Sequence, residues 1–188
     1  MPSVAHLAAD LLADGLDHVR SSPTDVGTLD LVVARPVAGG RSVLEEGRLD
    51  LAVGLVGDDW LGRGSTRTSD GSADPDKQVN LINARFARLV AGDQLERRTL
   101  VGDQLHVDLD LSVANLPVGS RLAIGDAVVE VTPAPHKGCA KFADRFGRDA
   151  MRFVASPEGR ALRLRGVCTR VVVPGVVRPG DAVVVTRP

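Results

Sequence analysis

The chain has 188 residues, a formal net charge of −1 and 25% charged residues. That length fits one domain with at most a short extension, and it buries roughly 70% of its unfolded surface without covalent staples. The balanced charge, together with four Phe, one Trp and no Tyr, argues against nucleic acid, which uses basic faces and stacking rings, and against an anionic membrane surface.

The first element is "SVAHLAADLLADGLDHVR". It spaces Val4, Leu7, Leu11 and Leu12 at helical intervals and predicts an amphipathic helix lying on the main domain. "SSPTDVG" ends it. "LDLVVARP" predicts a strand, and "RLDLAVGLVGDDW" alternates Leu49, Leu51, Val53 and Leu55 as one strand face. Residues 62 to 76, "GRGSTRTSDGSADPD", form a long polar loop of the kind that carries function.

"KQVNLI" predicts a strand. "NARFARLVAG" predicts a short helix with Asn83 as N-cap and Gly92 past its end. In "DQLHVDLDLS", Leu105, Val107, Leu109 and Leu111 face one way, and His106, Asp108, Asp110 and Ser112 face a solvated side. "RLAIGDAVVEVTP" holds two strands broken at Gly125-Asp126. "CAKFADRFG" predicts a short helix stopped by Gly147, with helical turns in "RDAMRFV" and "PEGRALR". The chain closes on two strands in "RGVCTRVVVPGVVRPGDAVVVTRP". Many short strands with small helical inserts predict a mostly β protein and a barrel.

Two cysteines, Cys139 and Cys168, are too few for a disulfide framework or a usual iron–sulfur cluster. No basic region followed by an apolar run opens the chain, and no apolar stretch approaches the roughly 20 residues of a membrane span. A cytoplasmic protein with free thiols is expected.

Cys139 stands out in "PAPHKGCAKF". It sits directly ahead of a helical pattern, and the partial positive charge of a helix N-terminus favours a thiolate. Lys137, Lys141 and a protonated His136 would act in the same direction. Gly138 removes bulk beside the sulfur and lets backbone approach a ligand. A small buried hydrophobe is the equally weighted alternative. Cys168, inside an apolar strand pattern, reads as inert. His106 beside Asp108 and Asp110 reads as a solvated polar face before it reads as a metal site. No phosphate-loop, GxGxxG, GxSxG or HExxH motif is present.

Four segments occur in order: "GLVGDDW", "DPDKQVNL", "LPVGSRLAIGDAVVEVTPAPHKGCAKF" and "RGVCTRVVVPGVVRPGDAVVV". Together they resemble the MOSC domain, named after the C-terminal part of molybdenum cofactor sulfurase. The resemblance covers roughly residues 29 to 188 and makes residues 1 to 28 an N-terminal helical extension.

It implies a closed β-barrel with short helices, a molybdenum–pterin cofactor, and Cys139 as the signature cysteine, either a molybdenum ligand or a sulfur-transfer residue. Lys77 matches the basic position of the family's Asp-Lys segment, and Arg165 opens its Arg-Gly segment. Lys141, Arg145 and His136 complete the expected cofactor-binding set. The chain departs from many relatives in lacking a His-Gly-Gly stretch before Asp76-Lys77, and in having Gly138 rather than Pro before the cysteine.

The expected function is therefore a molybdenum-cofactor enzyme that reduces N-hydroxylated compounds, fed by an electron-donor protein. One alternative is a sulfur carrier that receives a persulfide on Cys139 from a cysteine desulfurase. The other is a non-catalytic barrel binding a small anionic ligand.

Overall fold

The computed structural model describes residues 6–188. The N-terminal helical signal resolves into two short helices, α1 (Ala9–Asp14) and α2 (Leu16–Arg20), meeting at Gly15. The buried stripe is Leu12, Leu16 and Val19, spaced four and three apart, whereas Leu11 is 51% exposed. Val4, assigned to that stripe from the sequence, lies outside the described residues.

β1 (Val26–Ala34) is long and central. It pairs antiparallel with β2 (Ser42–Leu44). The predicted strand over residues 48–55 is instead a tight hairpin of β3 (Gly47–Asp50) and β4 (Gly54–Leu55). Asp50 accepts from the backbone of Ala52 and Val53, an Asx-type turn that outcompetes the strand ladder. Leu49 and Leu55 are buried as the alternation requires, but Leu51 sits on the turn and is exposed.

α3 (Trp60–Arg63) leads into the polar loop, which closes at a 3-10 turn over Pro75–Lys77. β5 (Val79–Asn83) and α4 (Ala84–Ala91) follow. Asn83 caps the helix as expected, accepting from the backbone N–H groups of Arg85 and Phe86. α5 (Leu95–Arg98) and a 3-10 turn over Thr99–Val101 connect to β6 (Leu105–Asp108). β7 (Arg121–Ile124) and β8 (Ala127–Val131) form the expected hairpin across Gly125-Asp126.

α6 (Ala140–Ala155) is interrupted at Gly147, whose φ of 94° no L side chain adopts comfortably, so the predicted stop is a break with helix on both sides. α7 (Pro157–Ala161) follows. The C-terminal segment holds three strands, not two: β9 (Val167–Val173), β10 (Gly175–Val177) and β11 (Ala182–Thr186). Pro174 ends β9, since it has no N–H for the ladder.

Seven strands close into a barrel in the order β1-β11-β7-β8-β9-β5-β6, with only β5 and β6 parallel. β3, β4 and β10 form a small second sheet. The lumen is filled by aliphatic side chains from nearly every strand, among them Leu29, Val79, Leu81, Val107, Leu122 and Val129. A second core lies outside the barrel, where α1, α2, α4 and α6 cover β5 and β6 with Leu12, Leu16, Phe86, Phe142 and Phe146.

This second layer overturns the sequence expectation for His106. Its strand neighbours Leu105 and Val107 face the lumen, so His106 points out of the barrel. There it meets packed helix and not solvent, and it is fully buried. Burial first, and then Arg98, Arg88 and Arg165, lower its pKa to about 3. Neither ring nitrogen has a hydrogen-bond partner. Among the described residues no group of three His, Cys, Asp or Glu is arranged to hold a metal ion, and no helix is long and apolar enough to cross a membrane.

Candidate functional site

Five chain segments that border barrel strands converge on one region. Arg35 follows β1. Lys77 closes the turn before β5. Asp103 precedes β6. His136 and Cys139 follow β8. Arg165 precedes β9.

Cys139 is the N-cap residue of α6, as its place ahead of the helical pattern predicts. Its carbonyl accepts from Phe142 and Ala143, its side chain makes no capping hydrogen bond, and it is exposed. Cys168 is buried in β9, and burial, the largest cause, pushes its thiol up to about 12, so it is the inert cysteine. Gly138 lines the wide cavity beside the sulfur, and it has a packing role as well. A Cβ there would run into Met151 and touch Val154, so the glycine lets the Cys139 segment pack onto the second half of α6.

Two cavities meet at Cys139. The wider, about 700 Å³, is lined by the polar loop, Lys77, His136 and Lys137. The narrower, about 270 Å³, is lined by Arg35, Arg41, Lys141, Arg145 and Arg165. Arg63, like Cys139, borders both. The structure thus divides the sequence-derived set: Lys77 and His136 stand on one side of the thiol, and Lys141, Arg145 and Arg165 on the other.

The narrow cavity is strongly cationic. Arg35 is held by a bidentate pair with Asp58, both contacts at 2.8 Å, and donates to the Gly102 carbonyl at 3.0 Å. Asp58 also accepts from the Trp60 N–H, which explains the Gly-Asp-Asp-Trp motif as a lock on Arg35. Arg165 is buried, donates to Asp103 at 2.6 Å and to the Val101 carbonyl at 3.1 Å, and stacks over Phe142.

Arg41, Lys141 and Arg145 have no carboxylate partner among the described residues. Arg41 donates to the Thr99 carbonyl, and Arg145 to the Leu100 carbonyl. Burial, together with the nearby Arg145 and Arg35, pulls the Arg41 guanidinium below its ordinary range. Three uncompensated cations at one cavity favour an anion there.

His136 is not the extra cation the sequence reading allows. Burial first, then Arg165, Arg35 and Lys77, hold it well below the usual imidazole range, so it is neutral at pH 7. Its Nδ1 faces Asp103 Oδ1 at 3.3 Å without a hydrogen bond. Asp103 is fully buried, and burial raises its carboxyl while Arg165 pulls it back. Gly166 makes this packing possible. Its φ is 104°, and a Cβ would collide with the Leu81 carbonyl and crowd His136 and Asp103. The Arg-Gly pair therefore has two separate duties, a cation and a close approach.

Arg35, Arg41, Arg63 and Asp103 were not singled out by sequence reasoning. For Arg35 a signal existed in Asp58, two positions before Trp60. For the others the chain carries no local mark.

A protein-family model, described as the MOSC domain, matches residues 70–184. This chain belongs to the MOSC domain family. Its fold matches that of the YuaD protein from Bacillus subtilis, with TM-score 0.63 at 16% identity over 85% of this chain and 95% of that one. It also matches YiiM from Escherichia coli, with TM-score 0.54 at 19% identity over 85% of this chain and 69% of that one. For YiiM from Geobacillus stearothermophilus the TM-score is 0.53 at 15% identity, over 88% and 74%. At these identities the likeness concerns the fold alone. A search of curated proteins finds no match. The MOSC assignment agrees with the resemblance carried by the segments from Asp74 onward, while Gly-Leu-Val-Gly-Asp-Asp-Trp lies before the matched residues, and the closed barrel agrees with the fold the resemblance implies.

Proposed function

We propose that this MOSC protein binds a molybdenum–pterin cofactor at Cys139 and reduces an N–O bond in a small molecule. The observation that carries this reading is the exposed Cys139 thiol at the meeting point of two cation-lined cavities. The donor chemistry fits the group. A thiolate is a suitable soft ligand for the metal, and Lys141, Arg145 and Arg165, with Arg41 beside them, suit the phosphate of the pterin. Lys77, fixed by Asp74 at 3.1 Å, and the neutral His136 stand on the other side as polar contacts.

When bound, the cofactor supplies two-electron reduction at the metal. Converting an N-hydroxyl compound to the amine breaks the N–O bond, takes up two electrons and two protons, and releases water. The electrons come from a donor protein, because the chain has no flavin motif and only two cysteines. The chain's own residues bind and orient: Cys139 through sulfur, the narrow-cavity cations through charge, and the polar loop as the substrate-side wall.

A second reading is favoured by the unengaged state of the Cys139 side chain. In it, a cysteine desulfurase passes its terminal persulfide sulfur to the Cys139 thiol, regenerating its own thiol, and Cys139 hands that sulfur to an acceptor. The third reading, a non-catalytic barrel protein that binds a small anion, would use the same narrow-cavity cations, because the lumen itself is filled with side chains.

The test is elemental analysis for molybdenum on protein made in cofactor-replete cells, with Cys139→Ala alongside. Near-stoichiometric metal, lost in the variant, supports the reading. No metal in the native protein overturns it and leaves the persulfide reading, checked by mass spectrometry for a +32 Da adduct of one sulfur atom on Cys139.

A further inference from the structure

The wide cavity has a wall that cofactor binding leaves unused. Four cations line it: Arg63, Arg67, Lys77 and Lys137. Two are neutralised by neighbours, Arg63 by Asp59 and Lys77 by Asp74. Arg67 and Lys137 have no carboxylate within ion-pair distance among the described residues. They reach the cavity from separate segments, one from the polar loop and one from the stretch ahead of Cys139. No acidic side chain lines this cavity among the described residues, and neither does any Phe, Trp, Leu, Ile, Val or Met.

The loop that carries Arg67 is built and not merely long. Ser65 donates its backbone N–H to the Gly71 carbonyl at 3.2 Å. The Thr68 hydroxyl lies 2.9 Å from the Ser65 carbonyl and 2.6 Å from that of Ser72. Asp70 accepts from the Ser72 hydroxyl at 2.7 Å. Arg67 itself donates its backbone N–H to Ser65 Oγ at 3.2 Å. These contacts hold the backbone under Arg67, so its guanidinium can engage an anion with less ordering of the chain.

We propose that the wide cavity selects substrate by charge. It takes a small hydrophilic molecule that carries a carboxylate away from its reacting end, with Arg67 and Lys137 holding the carboxylate and the reacting end turned to Cys139. The identity of that end as an N–O group rests on the cofactor reading, but the charge preference rests on the cavity alone. A guanidinium fork matches a carboxylate bidentately.

The test is equilibrium binding by calorimetry of a matched pair: the monohydroxamate of succinic acid, which keeps one carboxylate, and its neutral primary amide. Wild type, the double variant Arg67→Ala/Lys137→Ala, and Arg152→Ala, an exposed cation that lines neither cavity, are compared, and molybdenum is measured on each preparation. The expected result is about tenfold tighter binding of the carboxylate compound, a preference lost in the double variant and kept in Arg152→Ala. Equal affinities, or no binding of either compound, overturn the proposal. So does a preference that survives the double variant, which would put the anion elsewhere, or one that disappears in Arg152→Ala, which would make it a property of overall charge. Metal-free protein that keeps the preference would sink the cofactor reading and not this one. Metal-loaded protein without the preference would do the reverse.

Discussion

Arg165 donates from Nη1 to Oδ2 of Asp103 across 2.6 Å, and both side chains are buried. The pair ties the segment before β9 to the segment before β6, 62 residues apart, beneath the cavity that Cys139 borders. A buried pair of this kind adds little net stability over an apolar pair, but removing one partner strands a charge. Asp103→Ala and Arg165→Ala are each expected to cost about 3–5 kcal/mol in urea unfolding. Asp103→Leu/Arg165→Met is expected to recover much of that loss. If either single variant unfolds like wild type, the pair does not organise the site.

His106 makes stability depend on pH. An unfolded imidazole takes a proton near pH 6.5, whereas the folded one does so only at about 3. Between those values the unfolded chain binds more protons, so stability falls as pH falls. The loss is at most about 1.4 kcal/mol per pH unit for this one group. His136 acts in the same direction, and Asp103, held up by burial, acts against it. Urea midpoints at pH 7 and pH 5 are expected to drop for wild type and to drop less for His106→Leu. At pH 7 the same variant is expected to be equal or more stable, by up to about 1 kcal/mol, because two unpartnered ring nitrogens are removed. An unchanged slope in the variant would assign the pH dependence to another group.

Gly166 and Gly138 are expected to respond differently to alanine. At Gly166 the left-handed backbone and the fixed Leu81 carbonyl leave no escape. Gly166→Ala is expected to lose roughly 2 kcal/mol or more as the Leu81 carbonyl, His136 and Asp103 are displaced. At Gly138 the nearest obstacle is Met151 Sδ, the far end of a flexible side chain. Gly138→Ala is expected to cost roughly 1 kcal/mol. Equal effects at the two positions in thermal unfolding would mean that the Gly166 segment relaxes.

The two thiols are expected to separate cleanly by alkylation. Cys139 is exposed, and Cys168 is buried with its thiol pushed up to about 12. Iodoacetamide at pH 8 is expected to label Cys139 alone in the folded protein, and both residues in urea, as read by peptide mass spectrometry. Cys139→Ala removes an exposed side chain and is expected to change stability by no more than about 0.5 kcal/mol. Comparable labelling of Cys168 in the native state would show that β9 opens.

The strands of β1, β5, β7 and β8 were legible from their apolar patterning, the cap of α4 because capping is local chemistry, and the start of α6 from the helical pattern after Cys139. The β3–β4 hairpin was not, because Leu49, Leu51, Val53 and Leu55 keep period two straight through a turn set by the Asp50 side chain. Of the site, Cys139, Lys77, Arg165, Lys141 and Arg145 all line one of the two cavities. The split between those cavities, and the neutral state of His136, had no local signature.

By itself the sequence determined which residues alternate, where α4 starts and ends, and that one cysteine precedes a helix. These follow from backbone geometry and side-chain preference within a few residues. Only the tertiary structure decided that the outer face of β6 is covered, which turns His106 from a solvated residue into a buried neutral one. It alone brought Arg35 to Asp58, 23 residues away, and gathered Arg41, Lys141 and Arg145 around one cavity. Periodicity reports that a strand has two faces, but what packs on the second face, and which charges meet across the barrel, is set by how distant segments close on one another.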